Sequence, residues 1–372
     1  MHPLSNLFLA IVLLISSLKA NAQSLNPPSD LRVDLLLNAD KVWKNGVPAA
    51  LSLQEAKQSD STYQVALIAN QNPYFSWVVN DNSDGSSQTA YRILVASSPD
   101  NLKANKGDFW DSQKVIQNQQ TGIIYRGQKL KPNTVYYWKV KVWNNKQTPS
   151  DYSKPISFIT DSIIKPYQTA HQPLVKSLEK PVLSKQLNNL NTLYDFGNDA
   201  FAQLKMRIKS AADGDTLQIH VGEAIDATGR VERKPRGTIR YRLLKLALQK
   251  GEHNYDLKFL ADERNTGSKA ILMPDYIGEV LPFRYVELEK NDKAIIEVQR
   301  YVVNYPFNDQ ASSFKSSDTL LNQIWDLSKH TIKATSFTGL YVDGDRERIP
   351  YEADALINQL SHYASDAEFN MA

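Results

Sequence analysis

Between positions 343 and 354 the chain reads Asp-Gly-Asp-Arg-Glu-Arg-Ile-Pro-Tyr-Glu-Ala-Asp, five carboxylates and two arginines in twelve residues. Hydrolysis of a glycosidic bond calls for such groups: an acid to protonate the leaving oxygen, a base to activate water, and polar side chains to grip sugar hydroxyls. In an extended loop Asp343, Asp345 and Glu347 would share one side, with Arg346 and Arg348 on the other. Carboxylates held that close favour protonation of one member, the state a general acid needs. The arginines oppose this if they fold back onto Glu347. A solvated surface loop with ion pairs accounts for the same residues. A metal site is the weaker reading of Asp343-Gly344-Asp345, because no Asp/Asn ladder or closing Glu at calcium-loop spacing follows.

The elements that must position this loop are helical. Leu320, Leu321, Ile324, Trp325, Leu327 and Ile332 recur at helical spacing behind the possible caps Ser316, Ser317 and Asp318. A second helix is expected to start near Pro350, with Ala353, Leu356, Ile357, Leu360 and Ala364 as its apolar stripe. Asp354 then falls in the first turn, where the helix dipole favours its ionised form. Both helices need a partner: they fold back on the preceding β-structure or open a helical domain. His362 is expected to be a packing or surface residue rather than a catalytic one.

Upstream the period is two. Phe75–Val79, Tyr91–Ala96 and Val135–Trp143 alternate as strands, and the spacing predicts an antiparallel sandwich over 25–162 whose aromatics serve packing rather than sugar binding. A polar linker with Pro166, Pro173 and Pro181 covers 163–190. Strand patterns at Leu193–Gly197, Gln203–Ile208, Thr216–Val221, Phe283–Leu288 and Ile295–Val298 predict a second, jelly-roll-like sandwich over 191–312, with helices from 313 to 372.

Composition bounds the rest. The 372 residues are 42% hydrophobic, enough for two or three cored domains, and the formal net charge of +3 gives no nucleic-acid footprint. The absence of cysteine excludes disulfides, zinc-thiolate sites and Cys nucleophiles. No Gly-x-Ser-x-Gly, Gly-rich phosphate loop or His-Glu-x-x-His occurs, so no cofactor or metal is expected. The apolar run Leu7–Leu18 followed by Ala20-Asn21-Ala22 predicts a signal peptide over 1–22 and an exported, bacterial protein with no membrane span.

The segment Tyr341–Asp354, with Asn358-Gln359-Leu360-Ser361-His362-Tyr363 after it, resembles the active-site segment of bacterial α-L-rhamnosidases of glycoside hydrolase family 78. Phe75-Ser76-Trp77, Gln88–Val95 and Tyr136–Val140 are similar to that family's fibronectin type III-like N-terminal sandwich. Asp195-Phe196-Gly197, Gly222-Glu223 and Phe283–Glu287 are similar to its second β domain. The resemblance implies mainly β N-terminal domains followed by the first helices of an (α/α)6 barrel. It implies inverting hydrolysis of terminal α-L-rhamnosyl residues from a rhamnose-containing oligo- or polysaccharide. It further implies Glu347 as general acid and Asp343, Asp354, Arg346, Arg348 and Tyr351 as substrate-binding residues, with no cofactor. Ile349 and Tyr351 stand where that family often has tryptophan. Its catalytic base is a glutamate late in the barrel, so the expectation is a chain that stops before the base and is inactive alone. The alternative is a non-catalytic, secreted carbohydrate-binding protein. A polysaccharide lyase would need a Tyr/His base arrangement, which is not found.

Overall fold

The computed structural model describes residues 25–263, 266–289 and 294–371. The expected signal peptide lies outside the described residues. The chain is mostly β, and its contacts divide it into two compact units. The first combines the strand Asn26–Val33 with Asn72–Leu130 and Tyr136–Ser157; the second takes Asp34–Gln71, Lys131–Val135 and everything from Phe158.

In the first unit Asn26–Val33 pairs antiparallel with Tyr74–Asn80, and Gln88–Ala96 pairs antiparallel with Val135–Asn144. The latter strand buries one face fully, while on the other Tyr137, Lys141 and Trp143 are half-buried. Tyr136, Trp138, Val140 and Val142 are fully buried, and Trp138 meets Phe75 edge-on at 4.5 Å, so these aromatics are core. Lys139 is buried too, its Nζ donating to the Leu102 carbonyl at 2.5 Å and Asn105 Oδ1 at 2.6 Å. Desolvation pushes its pKa down.

The second unit is built on an eight-stranded assembly: β1 (Val175–Glu179), β2 (Leu183–Asn188), β3 (Asn191–Ser210), β4 (Thr216–Gly222), β5 (Tyr241–Ala247), β6 (Gly251–Leu257), β7 (Leu281–Glu289) and β8 (Ala294–Asn304). The main hydrogen-bonded order is β1-β8-β3-β7-β4-β5, with β2 and β6 also paired to β3. The long β3 serves two sets of neighbours. Its first part pairs with β2 and β7 and its second with β6 and β8, and the register shifts between Asp195 and Ala200, where Gly197 has φ +84°. A positive φ at that bend suits glycine. Past it Leu204, Met206 and Ile208 point to the core while Arg207 and Lys209 are exposed. They pack with Ile219, Val221, Phe283, Val286 and Leu288, as the two-residue period requires.

Two helices follow, α1 (Thr319–Thr335) and α2 (Glu352–Ser365). Asp318 caps α1, its Oδ1 accepting the Leu320 N–H at 2.8 Å. The apolar stripes read from the sequence do not anchor these helices. Leu320, Leu321, Ile324 and Leu327 on α1 and Leu356, Ile357 and Leu360 on α2 are exposed among the described residues. The buried face of α2 carries Gln359, His362 and Ser365 instead. It is polar because it is hydrogen-bonded: Gln359 accepts from Tyr341 OH at 3.1 Å and donates to the Glu368 carbonyl at 3.0 Å, while His362 Nδ1 lies 2.9 Å from Asp366 Oδ1. The segment between the helices is fixed by apolar packing. Phe337, Tyr341 and Val342 join Phe201, Ile277 and Val303 in one cluster, with the Phe201 and Phe337 rings stacked at 3.6 Å.

Glu287 on β7 is fully buried and accepts from Arg230 Nε at 2.9 Å, Arg233 Nη2 at 3.0 Å and the Val231 N–H at 3.0 Å. Replacing it by Gln removes the charge that both arginines face. Glu287→Gln is expected to lower stability by about 2–4 kcal/mol in chemical denaturation; an unchanged midpoint would contradict a structural role for this cluster.

Candidate active site

The carboxylate-rich loop is held at its base by a bridge between Val342 and Pro350, with Tyr341 and Val342 buried beside it. Between these points it bends rather than runs extended: Gly344 has φ +88° and Arg348, a non-glycine residue, φ +53°. The strict alternation of acids and arginines is therefore lost, and the loop separates into a buried half and a more exposed half.

The buried half centres on Asp345. Its Oδ1 accepts from Arg348 Nε at 2.9 Å and Nη2 at 2.8 Å, and its Oδ2 from Arg240 Nε at 2.6 Å. Arg240 Nη2 also donates to the Asp345 main-chain carbonyl. Arg348 Nη2 pairs with Glu279 Oε1 at 2.6 Å, its guanidinium lies over Phe337 at 5.4 Å, and its carbonyl accepts the Ile271 N–H at 2.9 Å. The Arg240, Asp345 and Arg348 side chains are 2%, 7% and 1% exposed. Arg240, at the start of β5, donates its own amide to Glu223. Sequence reasoning missed Arg240 and Glu279, which lie 105 and 69 residues from their partners and form no motif with them.

The other half joins Asp343, whose side chain is only 11% exposed, to the solvent-facing Arg346, Glu347 and Tyr351. Asp343 Oδ1 accepts the Arg348 N–H at 3.1 Å and its Oδ2 accepts from Arg346 Nε at 2.9 Å. Arg346 Nε is also 3.1 Å from Glu347 Oε1, and Tyr351 OH donates to Glu347 Oε2 at 2.7 Å. Arg346 has thus folded back onto Glu347. The negative charges of Glu347 first and Asp343 second push the Arg346 pKa up. The hydrogen bond to Glu347 raises that of Tyr351. The Glu347 side chain is 39% exposed, so an incoming oxygen can reach it. Asp354 is exposed in the first turn of α2 and has no side-chain hydrogen bond or ion pair among the described residues. The structure therefore brings Asp343, Arg346, Glu347 and Tyr351 together, leaves Asp354 apart from them, and commits the Arg348 side chain to Asp345 and Glu279. Among the described residues no group of three or more His, Asp or Glu is placed to hold a metal.

Comparison with known proteins agrees on one enzyme group. Residues 57–162 match the Rha78A-like N-terminal immunoglobulin domain, and residues 309–371, which contain the whole loop, match the bacterial α-L-rhamnosidase six-hairpin glycosidase domain. Both matched segments are thus similar to domains of α-L-rhamnosidases. Two α-L-rhamnosidases of Formosa agariphila are 45% identical over 91 residues and 33% identical over 148 residues. These alignments cover 24% and 38% of this chain but only 10% and 16% of those proteins. The fold is similar to the α-L-rhamnosidase structure from Dictyoglumus thermophilum, with a TM-score of 0.60 at 15% identity, over 91% of this chain and 55% of that one.

Two outcomes test this geometry. Tyr351 should titrate above an ordinary tyrosine. Its hydrogen bond to Glu347 favours the protonated phenol, so the contact persists at lower pH and is lost as pH rises through the raised pKa. NMR of the Tyr351 ring should show that elevation disappear in Glu347→Gln; an elevation that survives would refute the contact. Arg240→Gln should speed amide hydrogen exchange over residues 343–350 by about tenfold or more, since a charged hydrogen bond contributes about 1.5–3 kcal/mol. Unaltered exchange there would show that Arg240 does not hold the loop.

Proposed function

We propose that the protein is a glycoside hydrolase of the α-L-rhamnosidase type, exported from a bacterial cell, with Glu347 as its general acid. The observation that carries the reading is the placement of Glu347: half-exposed, beside Asp343, on a loop tied down by buried ion pairs within the matched six-hairpin segment. Residues 313–372 are read as the opening helices of an (α/α)6 catalytic domain, and residues 1–22 as the export signal.

Glu347 delivers its proton to the glycosidic oxygen as the bond from the anomeric carbon to that oxygen breaks, leaving positive charge on the sugar ring. Water attacks the opposite face of the anomeric carbon and must give its proton to a second carboxylate acting as base, which is not assigned among the described residues, and the configuration inverts. The carboxylate of Asp343 lies on the same face of the loop as Glu347 and serves to bind rhamnose hydroxyls, with Asp354 as a second binding carboxylate. Tyr351 and Arg346 fix both oxygens of Glu347 between turnovers. Arg348 acts on substrate only indirectly, by holding Asp343 through its main-chain N–H.

A general acid matters in proportion to how poor the leaving group is. Glu347→Gln should lower kcat/KM on an alkyl α-L-rhamnoside by about 10²–10⁴-fold and affect 4-nitrophenyl α-L-rhamnoside far less, because nitrophenolate leaves without a proton. Equal losses on the two substrates would reject Glu347 as the acid. No hydrolysis of either by the unaltered protein would reject the hydrolase reading for this polypeptide.

A further inference from the structure

We propose that the second unit holds a further saccharide site, with no lining residue from the carboxylate loop, selective for a sugar that carries a negative charge. The site is a cleft of about 790 Å³ formed between the segment Lys44–Leu51 and the β-strands, a space larger than a simple ion needs. Tyr63, Tyr276 and Tyr301, all partly exposed, line it. Exposed charges at its edge cancel, Lys44 and Lys258 against Asp256 and Asp275. Half-buried Lys176 is the lining charge left over.

Lys176 is held for a ligand rather than for a partner in the chain. Its Nζ donates to Gln203 Oε1 at 2.7 Å and to the Ile277 carbonyl at 3.0 Å, both neutral. The Gln203 amide is oriented in turn by its Nε2, which donates to the carbonyls of Ile277 at 2.7 Å and Glu279 at 2.9 Å. The ammonium is therefore fixed, with a third N–H unused among the described residues. Burial is the main influence on its pKa and pushes it down, with the Asp256 carboxylate acting against it and the Lys258 ammonium with it, so no carboxylate is hydrogen-bonded to this half-buried cation but one lies within electrostatic reach. Close backbone approach builds the site: the Lys176 N–H donates to the Gly46 carbonyl at 2.7 Å, and a Cβ on Gly46 would lie 2.7 Å from Ile277 Cδ1. A carboxylate or sulfate ester on a sugar would neutralise the ammonium, with the sugar flanked by Tyr63 and Tyr301, whose rings carry the Lys44 and Lys205 ammonium groups at 5.5 and 5.1 Å.

The choice of a sugar rests on the glycosidase reading; the choice of an anion rests on Lys176 alone. Titration calorimetry of the whole protein tests both, with a galacturonic acid disaccharide, glucose 6-sulfate, a neutral disaccharide and inorganic sulfate as probes. At least one charged sugar should bind ten or more times tighter than the neutral one, and which of them does so identifies carboxylate or sulfate as the recognised group. Lys176→Met should abolish that preference, Lys176→Arg should keep part of it, and Glu347→Gln should leave it unchanged. The melting temperature of Lys176→Met checks that the variant is folded at the temperature of the titration, since the change leaves Gln203 Oε1 and the Ile277 carbonyl without this donor. Equal binding of neutral and charged sugars, no binding of any, or inorganic sulfate binding as tightly as the sugars would overturn the proposal. Failure of rhamnoside hydrolysis with this binding intact would count against the glycosidase reading only.

Discussion

A carboxylate gripped by two guanidinium groups out of reach of water is the interaction on which the candidate active site depends. Asp345 cannot leave Arg240 and Arg348 without stranding buried charge, an event that costs about 3–5 kcal/mol in comparable cases. Glu279 pairs with Arg348 on one side and Asp262 lies 3.9 Å from Arg240 Nη1 on the other, so each guanidinium faces a second carboxylate besides Asp345. Its consequence is positional. With Asp345 and Arg348 fixed, the residues between and beside them have little freedom, although Arg346 and Glu347 face solvent.

The loop thus separates support from chemistry along its own length. Asp345 and Arg348 face inward, while Arg346, Glu347 and Tyr351 face outward and Asp343, largely covered, joins them through Arg346. The positive φ of Arg348 links the halves: it turns this residue's side chain into the protein and leaves its N–H on Asp343. A site that must hold an acid to within a fraction of an ångström needs such backing, since a reactive side chain on an unsupported loop is poorly placed. The stacked Phe201 and Phe337 rings and the bridge from Val342 to Pro350 brace the same segment from its two ends.

Much of this was legible in the sequence where the determinant is local. Strand alternation at Leu204, Met206 and Ile208 matches the observed burial, and Asp318 stands where a cap was expected, because both depend on neighbours a few residues away. The direction of the helical stripes was not legible. Leu356, Ile357 and Leu360 have helical spacing, but which face is covered depends on partners, and here Tyr341 and Glu368 select the polar face through Gln359. The spacing placed Asp343, Asp345 and Glu347 on one side of an extended loop, whereas the bends at Gly344 and Arg348 turn Asp345 inward and leave Asp343 and Glu347 joined through Arg346. The inward turn of Arg348 could not be read, since a left-handed arginine has no sequence signal, and neither could the contribution of Arg240 from a distant strand. Lys176 escaped notice for a similar reason: its hydrogen bonds to Gln203 and the Ile277 carbonyl, both neutral, exist only in three dimensions.

The central claim is that Arg240 and Asp345 act as one unit that fixes the loop. A double-mutant cycle in chemical denaturation tests it most directly, comparing Arg240→Gln, Asp345→Asn and the double variant with the unaltered protein. The account predicts a coupling energy of about 2 kcal/mol or more, with the double variant less damaged than the sum of the single ones. A coupling energy near zero would mean that the two residues stabilise the protein independently, and the clamp would then not be what positions Glu347.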